Sequence, residues 1–444
     1  METSGNAAPR PSAPAKTEVG SVFISNYPPF SFWGEEAVPD LLNRFQQPVQ
    51  ADVPMGLYLH VPFCRKRCKF CYFKVYTDKN SRQIQAYLDA VTREIERVSA
   101  YPAVAGRKPR FIYVGGGTPS YISARHLRGV FRALEARFPF DEVQEVTFEC
   151  EPGTLTQAKL AAIREVGVTR LSLGVENFDD QILSDNGRAH ISTEIYRVLP
   201  WIREMGFDQV NIDLIAGMVG ETWDNWKANI EKAIEVDPDS ITIYQMELPY
   251  NTKYSQGLLK GESGEVFADW ATKRAWHDYA ISRLIEAGYD VSSGYTMVKR
   301  DKACRFVYRD ALWHGADLIP LGCSSFGHLG GVHYQNHPSI ERYVAAIEAG
   351  EAPLRRAFKT SETDRLRREA LLQLKMGRLQ VHPFREKYGV DIREVFADHL
   401  DDLVATDMAH VEGEEIRLTR QGLLRVDSLL PGFYEEKYRG SRYT

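Results

Sequence analysis

Three thiols stand in the run LYLHVPFCRKRCKFCYF: Cys64, Cys68 and Cys71, at C-x3-C-x2-C spacing directly after a strand-like apolar segment. Cysteine thiolates hold iron–sulfur clusters, usually four thiolates to a cluster of four irons. Three leave one iron open, so the remaining coordination position belongs to a small molecule. A zinc site would want four N/S ligands, commonly as two C-x2-4-C pairs, and no second pair follows downstream. A disulfide is disfavoured by context. Residues 1 to 18, METSGNAAPRPSAPAKTE, lack the apolar stretch of a signal peptide, and six cysteines in 444 residues suit a reducing cytosol. Cys150, Cys304 and Cys323 stand apart in sequence and read as small buried apolar residues.

Further chemistry lies in short polar interruptions of apolar runs. In GGGTPS (Gly115–Ser120) successive glycines remove the Cβ atoms that keep a backbone away from a ligand, so Gly115, Gly116, Gly117 and Thr118 can bond an amino-acid-like group. A plain strand-to-helix turn has the same composition. Glu149 in FECEP, Glu176 in GVENF and Asp213 in NIDLIAG each end an otherwise apolar run. Buried there, a carboxylate needs a ligand ammonium, ribose hydroxyls or a base such as Arg188; a structural ion-pair network is the plainer alternative.

Those residues must be positioned by what surrounds them. Strand-like runs at Leu57–Val61, Arg110–Val114, Glu145–Cys150, Arg170–Val175, Val210–Ile215 and Ser240–Met246 alternate with helical periodicity, as in Ile84–Val98 and Ala124–Arg137. Parallel strands joined by right-handed helical crossovers form a curved sheet whose chemistry gathers at the C-terminal strand ends. The cysteine loop follows the first strand, and the other motifs follow the next four in turn. The pattern predicts an α/β fold built as a partial (β/α)6 TIM-like barrel. Composition agrees, with 43% hydrophobic residues, 26% charged and net charge −5. No apolar stretch suits a membrane span, and the lack of a basic balance argues against nucleic acid.

From about Phe23 onward the chain resembles the oxygen-independent coproporphyrinogen III dehydrogenase family of radical S-adenosylmethionine proteins. YLHVPFC (Tyr58–Cys64), GGGTPS, FECEP, LSLGVENF and NIDLIAG match its motifs in order and spacing. The resemblance implies that Cys64, Cys68 and Cys71 ligate a 4Fe-4S cluster completed by S-adenosylmethionine, one molecule or two. It implies Tyr58, Gly116, Gly117, Thr118, Glu149, Glu176, Arg188 and Asp213 as cofactor-binding residues, with Tyr58 and Glu149 in catalysis. It also implies a cytoplasmic enzyme of porphyrin biosynthesis, a tetrapyrrole or other large conjugated substrate, and a low-potential electron donor of the flavodoxin or ferredoxin type. Phe63, Phe70, Tyr72 and Phe73 would shield the radical from water, or are ordinary core.

Two departures bear on the reaction. The dehydrogenases carry a fourth cysteine where this chain has Phe73, and a glutamine where it has Glu176; Met218 and Val219 also replace their usual Gly-Leu-Pro turn. Relatives with altered substrates include haem chaperones and two-cofactor methyltransferases or cyclopropanases. The segment Tyr308–Tyr343 resembles the substrate side, where Gly322, Ser324, Ser325 and Gly327 permit close approach of a second cofactor, or form a solvated loop. His314, His328, His333 and His337 match no metal spacing, although a haem chaperone would favour one as an axial ligand.

The expected organisation is a disordered tail (1–20), an N-terminal extension (21–55), the barrel (56–290), a substrate-side extension (291–357) and a winged-helix-like cap (358–444). The cap's wing, VEGEEIRL, is acidic, which suits covering a substrate better than binding DNA.

Overall fold

The computed structural model describes residues 17–48, 52–262 and 264–443. Most of the tail expected at 1–20 therefore lies outside the described residues. Thr17 donates to the Ala268 carbonyl at 2.9 Å, and the Gly20 N–H donates to Leu248 at 2.8 Å.

Six parallel strands form the centre: β1 (Met55–Val61), β2 (Phe111–Gly116), β3 (Glu145–Cys150), β4 (Arg170–Glu176), β5 (Gln209–Ala216) and β6 (Ser240–Gln245). Their ends fall within two residues of the sequence expectation. Alternation sorts each strand's side chains to two faces. Leu57, Leu59 and Val61 of β1, Ile112 and Val114 of β2 and Leu171, Leu173 and Val175 of β4 join one apolar core with the surrounding helices. The opposite face carries Tyr58, His60, Tyr113, Thr147, Glu149, Arg170, Ser172, Asn211 and Asp213, a polar set unlike an ordinary packed barrel interior.

The crossovers are helices with conventional starts. Asn80 caps Ser81–Ala100 in a reciprocal capping box with Gln83, and Ser123 and Thr156 cap Ala124–Glu135 and Gln157–Glu165. The sheet continues past the six predicted strands. β7 (Tyr289–Val291) and β8 (Thr296–Lys299) add antiparallel beyond β6, whereas β9 (Asp317–Leu321) pairs parallel to β1. β10 (Phe326–Leu329), β11 (Val332–Asn336) and β12 (Leu354–Lys359) follow antiparallel, giving twelve strands in the open order β12-β11-β10-β9-β1-β2-β3-β4-β5-β6-β8-β7.

The C-terminal region has helices Glu362–Leu374, His382–Tyr388 and Ala397–Ala405, then β14 (Ala409–Glu412) and β15 (Glu415–Leu418). A short strand that periodicity did not show, β13 (Arg378–Gln380), pairs with β15 to make a three-stranded sheet. This region and the N-terminal extension share one apolar cluster. Ile24, Tyr27, Phe30 and Trp33 pack with Leu371, Phe384, Tyr434, Tyr438 and Tyr443. Polar contacts fasten the same joint: the Tyr443 hydroxyl accepts from the Ser25 and Asn26 N–H groups at 2.8 and 2.7 Å and donates to the Asn26 carbonyl at 2.8 Å. The replacement Tyr443→Phe is expected to lower unfolding free energy by about 1–3 kcal/mol, because buried donors lose their acceptor. Urea titration checks it; an unchanged midpoint would show that the joint rests on packing alone.

Candidate functional site

The cysteine loop leaves β1 and is pinned from several sides. The Cys64 N–H donates to Tyr76 and the Tyr76 N–H to Pro62, closing the loop's two ends on each other. The Lys69 N–H donates to the Asn186 carbonyl at 3.0 Å, Arg67 to the Asn251 carbonyl at 3.0 Å, and Asn251 in turn to the Tyr72 carbonyl at 2.5 Å. Arg65 grips Glu151 at 3.0 and 3.2 Å, and Glu151 also meets His190 at 3.2 Å. Burial pushes the Glu151 carboxyl up, but His190, Arg188 and Arg65 outweigh it and bring it to about 2. Sequence reasoning did not single out Glu151 or His190; Glu151 directly follows the strand end, and its partners are set by other loops.

The GGGTPS loop crosses behind the cysteines. The Gly117 N–H donates to Val61 and the Thr118 N–H to Phe63, both at 2.8 Å, and a Cβ on Gly117 would come within 2.9 Å of the Phe63 carbonyl oxygen. The Gly116 N–H donates to Glu149 Oε2 at 3.1 Å. Sequence left open whether these N–H groups face a ligand; they are spent on the protein, so a ligand there would meet carbonyl oxygens. An ammonium group suits such a surface.

The strand-end carboxylates differ in their partners. Glu149 Oε1 accepts from the Tyr113 hydroxyl at 2.5 Å. Asp213 accepts from Ser172 and from Asn211, each at 2.9 Å. Glu176 lies 3.6 Å from Arg188 Nη1, which also donates to Cys68 Sγ at 3.4 Å, while Arg188 Nη2 donates to the Gly174 carbonyl at 2.9 Å. Glu176 has φ of 66° at a bulge in β4, and Gly174 leaves the space into which its side chain folds back. The ion-pair alternative thus describes Glu176 and Arg188, while Glu149 and Asp213 are held by neutral donors.

Tyr58 bonds His60 Nδ1 at 3.1 Å, and the ring of His60 occupies the space above Gly116. His60 Nε2 is buried without a partner, and burial lowers this imidazole to about 4. The alternation of YLHV, which puts both residues on one face, was the signal for His60. Of the aromatic alternatives, Phe63 is fully buried, whereas Tyr72 and Phe73, 44% and 42% exposed with ring centroids 4.4 Å apart, are not ordinary core. A loop that bends away after Cys71 leaves them no core to enter.

On the substrate side, Gly322 and Gly327 make room for the protein's own atoms. A Cβ there would meet the Tyr87 hydroxyl or the Pro320 ring, and the Gly322 N–H donates to Glu94 at 2.7 Å. His328 and His333 face each other across the β10–β11 hairpin at 2.9 Å, and His333 also bonds the Tyr27 carbonyl at 3.1 Å and stacks on Trp33. His314 and His337 stand apart from that pair.

Among the described residues no three Cys, His, Asp or Glu side chains converge on a single-ion site. Residues 58–233 match the family model of the radical SAM superfamily, and residues 360–425 match the HemN C-terminal domain. The chain carries a radical SAM domain followed by a HemN C-terminal domain. It is 25% identical over 434 residues to the oxygen-independent coproporphyrinogen III oxidase of Synechocystis sp., covering 92% of this chain and 91% of that one. It is 26% identical over 392 residues to the heme chaperone HemW of Bacillus subtilis, covering 85% and 99%. The solved structure of coproporphyrinogen III oxidase (HemN) from Escherichia coli superposes with a TM-score of 0.80 at 23% identity, over 93% of this chain and 96% of that one.

Radical SAM membership implies a 4Fe-4S cluster and S-adenosylmethionine. The thiols fit such a group. Each thiolate of a cluster binds its own iron, so the three sulfurs need not converge on a point. Donors already face two of them, Thr118 Oγ1 at 3.3 Å from Cys64 Sγ and Arg188 from Cys68. Burial pushes Cys64 up to about 11 and Cys71 to about 12, and the positive charge of bound iron would favour their thiolates.

Burial also raises Glu149 from 4.5 to about 7, against the bonds from Tyr113 and Gly116. A carboxyl whose folded value lies above its unfolded one favours the protonated fold, so it withdraws stability as pH climbs from about 4.5 through about 7. The cluster-free variant Glu149→Gln is expected to gain about 1–3 kcal/mol at pH 8 and nothing at pH 4. Thermal melts at both pH values check this, since a gain of equal size at each would place its origin elsewhere. Removing the carboxylate that holds Arg65, by Glu151→Ala, is expected to lower iron bound after anaerobic reconstitution by several-fold. Iron and sulfide analysis reads the outcome, and full loading would show that the remaining loop bonds suffice.

Proposed function

We propose that this chain is a radical SAM oxidoreductase of the oxygen-independent coproporphyrinogen III oxidase type, acting on a tetrapyrrole or another large conjugated substrate. Arg188 carries the reading. By reaching both Cys68 and Glu176 it ties the thiol loop to the end of the strand that carries Glu176. Cys64, Cys68 and Cys71 hold the cluster. Gly116, Gly117 and Thr118 with Glu149 receive the amino-acid end of S-adenosylmethionine, and Glu176, Arg188 and Asp213 lie along its nucleoside and carboxylate sides. When bound, the cluster and cofactor supply a 5′-deoxyadenosyl radical that takes a hydrogen atom from the substrate. The protein orients the reactants and excludes water; Tyr58, bonded to His60, stands beside the glycine loop, where it contributes to both. A low-potential flavodoxin or ferredoxin supplies the electron, and the reducing cytoplasm keeps the thiols available.

Two observations favour a second reading as a haem chaperone: the match to HemW at similar identity, and Phe73 in place of a fourth cysteine. A two-cofactor methyltransferase or cyclopropanase is a third outcome. The test is anaerobic reconstitution, dithionite reduction, and incubation with S-adenosylmethionine and coproporphyrinogen III, followed by mass spectrometry. Protoporphyrinogen plus 5′-deoxyadenosine is expected. Stoichiometric haem binding with no 5′-deoxyadenosine would favour the chaperone, and methylated product would favour the transferase. The triple replacement of Cys64, Cys68 and Cys71 by Ala should leave no cluster absorbance; a normal spectrum there would remove the basis of the proposal.

A further inference from the structure

Arg170 is the first residue of β4 and lies on the polar face, in register with Thr147 of β3 and Gln209 of β5. It is 2% exposed. Its guanidinium sits 4.0 Å over the ring of Phe306 and its Nε is buried without a partner. Among the described residues its side chain takes part in no hydrogen bond or ion pair. Stacking on an aromatic face offsets only part of what burying an unpaired ion costs.

The acids nearest in the sheet cannot close that gap. Glu149 and Asp213 feel the charge of Arg170, but their oxygens are committed to Tyr113, Gly116, Ser172 and Asn211. A second cation deepens the mismatch. Arg309 is 7% exposed, lies 5.8 Å from the same Phe306 ring, and keeps Nη1 buried without a partner although Asp310 and Ser292 satisfy its other nitrogens. The buried carboxylate of Glu145 also acts on Arg309, but its oxygens accept from Thr147, Val307 and Tyr308. The two guanidinium groups beside one ring thus each keep a spare N–H and repel one another unless a further anion joins them. Planar guanidinium donors in that arrangement match a carboxylate.

We propose that Arg170 and Arg309, both beside Phe306, bind a carboxylate of the substrate at the floor of the polar face. Arg170 starts two residues below Ser172, the register partner of Glu149, a descent of about 6.6 Å along the strand. A carboxylate on a flexible arm covers that depth while the body of the ligand stays near the strand ends. The site therefore selects acidic side chains rather than the conjugated ring. The inference rests on the proposed function for the molecule that carries the carboxylate, and on the arginines for the carboxylate itself.

The experiment uses full-length, cluster-reconstituted protein and three probes: coproporphyrin III, its tetramethyl ester, and free propionate. Titration calorimetry with Arg170→Gln is expected to show binding of the tetracarboxylate weakened about tenfold or more, which is what one charge-assisted pair is worth. Ester binding should change less than about twofold, as it has no charge to lose. Arg170→Lys keeps the charge without the fork and should fall between; it also serves if the Gln variant fails to load its cluster. Propionate should raise the Tm of the wild-type protein and not that of Arg170→Gln. Equal losses for acid and ester, or none for either, overturn the proposal. If the wild-type protein binds no coproporphyrin but propionate still stabilises it through Arg170, the carboxylate site stands and the tetrapyrrole reading falls.

Discussion

Arg188 sits where three requirements meet: it donates toward Cys68 Sγ, bonds the Gly174 carbonyl and faces Glu176. Each contact depends on burial, because a guanidinium in water would exchange all three for solvent. The constraint reaches outward from there. The cysteine loop must stay folded beside β4, so Lys69 is tied to Asn186, Arg65 to Glu151, and Glu151 to His190. The bulge that turns Glu176 into the left-handed region brings its carboxylate to Arg188, with Gly174 clearing the space it occupies. The helices and apolar strand faces exist, in this sense, to hold one polar surface dry and in register.

That surface is unusual for a parallel sheet. The outward alternation of β1 to β6 is ordinary Leu, Ile and Val packing, whereas the inward face carries tyrosines, carboxylates, amides and arginine. Burying such a face is unfavourable unless its groups pair with each other or with a ligand. Glu149 and Asp213 are paired within the protein, while His60 Nε2 and Arg170 Nε are not. The unpaired atoms mark where the chain is built to meet something else.

Closure of the polar face falls to parts distant in sequence. The extension around Ile24–Trp33 and the tail around Tyr434–Tyr443 share one apolar cluster with the C-terminal helices, so the first and last described segments act as one body. The His328–His333 pair joins the sheet to that body, since His333 bonds the Tyr27 carbonyl and stacks on Trp33. These imidazoles are pushed well below their usual range by burial, which keeps them neutral and fit for hydrogen bonding within the hairpin.

Local chemistry made the central parts legible from residues alone. Alternating apolar runs determine six strands, because only burial on one face explains the alternation, and the cysteine spacing determines a loop that can hold iron. The glycines of GGGTPS and the acids of FECEP, GVENF and NIDLIAG mark strand ends for the same local reason. Tertiary structure alone decided which donors those groups keep. It turned the Gly117 and Thr118 N–H groups to Val61 and Phe63, gave Glu149 to Tyr113, and exposed Tyr72 and Phe73. It added β9 to β12 beside β1, and it set Arg170 and Arg309 about Phe306. Such pairings join residues tens to hundreds of positions apart, and no period or spacing encodes them; they follow from strand register and loop packing once the sheet has formed.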